Sequence, residues 1–97
     1  MEQPKPLTKQ EFDNNRFAGR GASALHDEKE FFQLGPILGI IIQDRVDSDW
    51  SFVVMAKEGA DPLFRAVDYE VSISGQDLCR TLLFERMHKY VAKKVVS

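Results

Sequence analysis

Cysteine is almost missing from this chain: Cys79 is the only one in 97 residues. A lone thiol cannot close an internal disulfide, which excludes the stapled scaffolds of small secreted proteins. Cys79 stands between Leu78 and Leu82 on a helical apolar face, the setting of a buried, inert thiol. Long apolar runs are missing as well. The longest, residues 37–42, is far too short to cross a bilayer, and residues 1–6 lack the basic and apolar regions of a secretory signal. These features lead us to expect a cytoplasmic protein without membrane association. The net charge is only −2, and its distribution along the chain carries more information than the total.

What is present is ordinary globular composition. A hydrophobic fraction of 43% against a charged fraction of 29% excludes disorder and fibre classes. The length of 97 residues bounds the chain to one domain spanning 1–97, with 1–7 expected as a mobile extended lead and 92–97 as a frayed tail. Charge is unevenly placed. Acids dominate residues 37–70 (Asp44, Asp47, Asp49, Glu58, Asp61, Asp68, Glu70), whereas bases dominate afterwards (Arg80, Arg86, Lys89, Lys93, Lys94). An acidic sheet facing a basic last helix accounts for this, since cations near a helix C-terminus complement its dipole.

The clearest local signal lies in residues 63–87. Two-residue alternation (Val67, Tyr69, Val71, Ile73 against Ala66, Asp68, Glu70, Ser72) gives way across Ser74-Gly75-Gln76-Asp77 to helical spacing of Leu78, Cys79, Leu82, Leu83, Met87 and Tyr90. A strand therefore runs into a helix, with Ser74 and Asp77 in capping-box spacing. At the other end, Thr8 and Glu11 form a capping box and Leu7 and Phe12 a hydrophobic staple, predicting a short helix that Gly19-Arg20-Gly21 closes. Residues 22–34, with Leu25, Phe31, Phe32 and Leu34, are expected to form a second helix ended by Gly35-Pro36. Residues 37–46 and 50–57 read as a hairpin across the Asp47-Ser48-Asp49 turn, and Gly59-Ala60-Asp61-Pro62 leads into the third strand. The fold class is α+β: a short N-terminal helix or two, a three-stranded antiparallel meander, and a long C-terminal helix packed on one sheet face. Double-stranded-RNA-binding domains share that order of elements. Here, however, Ser74-Gly75-Gln76-Asp77 replaces their lysine cluster at the start of the last helix, and Asp77 would oppose phosphate.

Candidate chemistry is thin. Asp44, Asp47 and Asp49 crowd one turn, but a calcium loop needs a longer liganding run, a central glycine and a distal glutamate; turn aspartates bonding their own backbone explain the cluster. Asp68 and Glu70 share a strand face that reads as solvated. His26, Asp27, Glu28 and Glu30 fall far short of a zinc signature, and His88 sits where a cation suits the helix end. Arg16 and Arg20, interleaved with glycines, offer a candidate anion site without a Walker or dinucleotide pattern around it. No nucleophile–base pairing can be argued from residue types alone, so an enzyme is left open but unsupported, and no cofactor or metal is expected.

The remaining signal is unmet burial. If the last helix covers Trp50, Phe52, Val54, Val67, Tyr69 and Val71, the opposite face leaves Ile37, Ile41, Val53, Met55 and Phe64 needing a cover. The leading expectation is a small, non-catalytic interaction or regulatory module, homodimeric through the sheet by Ile41, Val53, Met55 and Phe64, with an unidentified protein partner as the other possibility. The alternative is a nucleic-acid or anion-binding protein using Arg16, Arg20 and the basic helix; a third is an enzyme of unknown reaction. The acidic strands argue against nucleic acid.

Overall fold

The computed structural model describes residues 2–18 and 26–96, with side chains as far as residue 92. Chain order is β1 (Lys5–Leu7), α1 (Lys9–Asp13), β2 (His26–Leu34), β3 (Ile37–Asp44), β4 (Trp50–Ala56), β5 (Arg65–Ile73) and α2 (Gln76–Val96). The strands form one antiparallel five-stranded sheet in sequential order. The class is thus α+β, with α2 packed on one face, but the sheet has two strands more than the meander expected from sequence.

The first extra strand is β1, the extended lead, which pairs Leu7 with Phe31 and Lys5 with Gln33. The second, β2, replaces the expected second helix; residues 22–25 of that expectation lie outside the described residues. Gly35-Pro36 proves to be a two-residue hairpin turn, with Leu34 opposite Ile37 and Gly35 at φ 56°, a region that favours glycine. In an extended chain the adjacent rings of Phe31 and Phe32 enter opposite faces, so each finds a core.

Two cores flank the sheet. On the α2 face, Phe32, Leu34, Ile37, Ile41, Phe52 and Val54 pack with Cys79, Leu83 and Met87. On the back face, Phe31, Leu38, Ile40, Met55 and Phe64 pack with Phe12 of α1. The expected capping box holds α1 in place: Glu11 N–H donates to Thr8 Oγ1 at 3.1 Å, and Thr8 N–H donates to Glu11 Oε1 at 2.9 Å. Beyond α1, the Phe64 N–H donates to the Arg16 carbonyl and the Ala18 N–H to the Phe64 carbonyl. This short bridge draws Phe17 over the back face, its ring centroid 4.9 Å from that of Phe12. The N-terminal segment therefore covers much of the face for which a partner was expected.

Candidate functional site

Register, not alternation, decides which face each residue serves. Ile41 pairs with Phe52 and Ile40 with Val53, and directly opposed residues share a face. Ile37 and Ile41 consequently lie under α2, which corrects their expected place on the back. Of the four residues expected to make an interaction face, Ile41 is fully buried with α2, Met55 and Phe64 are buried under the N-terminal segment, and Val53 is half-buried on the back. The four do not form one surface. Arg16 is exposed and contributes its backbone carbonyl to Phe64; Arg20 lies outside the described residues.

β5 departs furthest from expectation because it is bulged twice. Met55 pairs with Ala66 but Val54 with Asp68, so one extra residue enters β5 and reverses the alternation; a second irregularity lies between the Phe52↔Glu70 and Trp50↔Ile73 pairs. Between the bulges, Asp68 and Glu70 turn toward α2, and Tyr69, opposite Val53, turns to the back. The expected solvated carboxylate face is therefore an ion-pair face. Arg86 on α2 donates to Asp68 at 2.8 Å and to Glu70 at 2.9 Å, with its guanidinium 5.4 Å from the Phe52 ring centroid.

A second clamp ties the other side of α2 to β2. Arg80 donates from both Nε (3.0 Å) and Nη2 (2.7 Å) to the two oxygens of Glu30, a bidentate fork, while Gln76 donates to Glu30 at 2.7 Å. Arg80 also binds Asp77, so Asp77 serves this network rather than the expected capping box with Ser74. Burial works against the charge of Glu30, but the hydrogen bonds from Arg80 and Gln76 outweigh it and hold the carboxyl below its ordinary value of 4.5. Asp68 is held below 3.8 in the same way, burial being outweighed by the Arg86 hydrogen bond. Both pKa values are lower in the folded chain. Their stabilisation is thus fully present above the unfolded values and is lost as pH falls through the folded ones. Urea melts should show stability steady near neutrality and falling below about pH 4.5, as Glu30 and Asp68 take up protons. In Glu30→Gln that fall should be shallower, because one of the carboxylates that sets it is gone.

The remaining candidate groups are structural. His26 lies on β2, not a helix, with Nε2 3.5 Å from Asp44. Asp44 Oδ1 accepts from the Val46 N–H at 2.7 Å, and Asp47 Oδ1 from the Asp49 N–H at 2.9 Å, the backbone-bonding role expected of turn aspartates. Burial pushes the Cys79 thiol up to about 11, leaving essentially no thiolate at neutral pH.

On the sheet itself, the exposed large apolar residues belong to β5: Tyr69 is 67% and Val71 59% exposed. Tyr69 ends a cross-strand row, Leu7–Phe31–Ile40–Val53–Tyr69, that is buried at Phe31 and Ile40 and open at β5. Sequence reasoning missed this pair by placing both residues beneath α2. No protein family, curated protein or solved structure matches the chain. No helix among the described residues is long and apolar enough to cross a membrane.

Proposed function

We propose that this chain is a small, non-catalytic interaction module of the cytoplasm that assembles as a homodimer through the β5 side of its sheet. The observation that supports this is the open end of the back-face row, where Tyr69 and Val71 are exposed beside the half-buried Val53. A second copy suits this surface because the patch itself is uncharged. The charged neighbours of Tyr69 along β5, Asp68 and Glu70, turn to the opposite face and are matched there by Arg86. Nothing in the patch selects a charged ligand, while a two-fold axis through Tyr69 sets like against like. The anion-binding alternative loses support, since Arg80 and Arg86 of the basic helix are committed to carboxylates.

Sedimentation at micromolar concentration tests the reading. The wild-type chain should run as a dimer, and Tyr69→Lys should raise its dissociation constant by about tenfold or more, the equivalent of about 1.4 kcal/mol of lost burial. Because the Tyr69 ring is exposed in the single chain, the monomer's melting curve should barely move. A wild-type chain that stays monomeric across that range would end the proposal.

A further inference from the structure

Beyond the dimer, the backbone of β5 carries information of its own. The sheet has two edges. At one, β1 is three residues long with Pro6 at its centre, which offers no N–H. At the other, β5 runs for nine residues without a proline, long enough to accept another strand. Yet two of its backbone groups already hydrogen-bond to side chains. The Tyr69 N–H donates to Asp68 Oδ1 at 2.8 Å, and the Tyr90 hydroxyl donates to the Val67 carbonyl at 3.2 Å. The other Asp68 oxygen, Oδ2, receives Arg86 Nη1 at 2.8 Å and lies 3.3 Å from the same Tyr90 hydroxyl. One turn of α2 therefore holds the carboxylate in place, and the carboxylate caps the strand. The two β-bulges and the positive φ of Ser72, 61°, break the regular repeat that an incoming strand would need to match.

We propose that Asp68 and Tyr90 close the β5 edge against strand addition, so that this sheet meets partners through side chains and not through backbone pairing. Asp68 shields the Tyr69 amide, and Tyr90 reaches from α2 to occupy the Val67 carbonyl. The arrangement does not depend on the dimer: a monomer with a closed edge gives the same results below.

The experiment compares the full-length wild type with Asp68→Ala, Tyr90→Phe and the double variant, by amide hydrogen exchange and by sedimentation with amide I infrared spectra. In Asp68→Ala the Tyr69 amide should exchange at least tenfold faster relative to the Ile40 amide in the sheet interior; a merely structural role would speed both together. The double variant should form larger assemblies with an intermolecular β-sheet band that wild type lacks at the same concentration. If the double variant does not fold, Tyr90→Phe, which keeps the ring and removes only the hydroxyl, should show the same band at high concentration. An unchanged ratio of Tyr69 to Ile40 exchange, or no such band in any folded variant, overturns the proposal.

Discussion

Phe12→Ala is expected to destabilise the chain by about 3–5 kcal/mol, a large share of the roughly 5–15 kcal/mol by which a domain is stable. Phe12 is the buried residue of the five-residue α1, fully enclosed, with its ring 4.9 Å from both Phe17 and Phe31. A helix of that length does not stand alone in water, so its apolar attachment to the sheet rests on this side chain and on Leu7 beside it, with Lys9 donating to Glu28 of β2 at 2.6 Å. Removing the ring opens the back-face core around Phe31, Leu38, Ile40, Met55 and Phe64. Denaturant melts should show the midpoint falling steeply in Phe12→Ala and far less in Phe12→Leu, which retains most of the buried volume. A loss below about 1 kcal/mol would mean that the N-terminal segment is not what stabilises the back of the sheet.

Gly39→Val should have the second large effect, about 3 kcal/mol, the upper end of the usual overpacking penalty. Gly39 lies between Phe32 and Val54 in one cross-strand row of the α2 face. A Cβ built there would meet Met87 Sδ at 2.8 Å and Leu83 Cδ1 at 3.0 Å. Two further methyl groups have nowhere to go unless α2 lifts from the sheet and loosens the Arg80–Glu30 and Arg86–Asp68 pairs on its flanks. Gly39→Ala should be milder, because Met87 is flexible enough to yield, and Met87→Ala should recover part of the loss in the double variant. Additivity between the two substitutions would contradict the close approach.

Features determined by residues a few positions apart were legible in the sequence. The Thr8/Glu11 capping box, the hairpin of β3 and β4 and the helical spacing of Cys79, Leu83 and Met87 stand where expected, while the turn expected at Asp47-Ser48-Asp49 opens two residues earlier, after Asp44. Each rests on hydrogen bonds or periodicity within a single segment, so it does not need the rest of the chain.

What only the tertiary structure decided was pairing across the sheet. His26–Leu34 carries no clean alternation, and it becomes a strand because β1 and β3 hydrogen-bond to its two edges; the hairpin spacing of Leu34 and Ile37 around Gly35-Pro36 was the local clue. Which face Ile37 and Ile41 serve depended on Ile41 lying opposite Phe52, a fact that neither strand contains alone. One inserted residue in β5 turned Asp68 and Glu70 toward α2 and Tyr69 away from it, because a side-chain period of two inverts with every single-residue slip. Composition and spacing determined that the chain would lay a helix on an antiparallel sheet. Long-range register, set by which backbone groups meet and where bulges absorb the mismatch, determined which side chains clamp that helix and which are left in water.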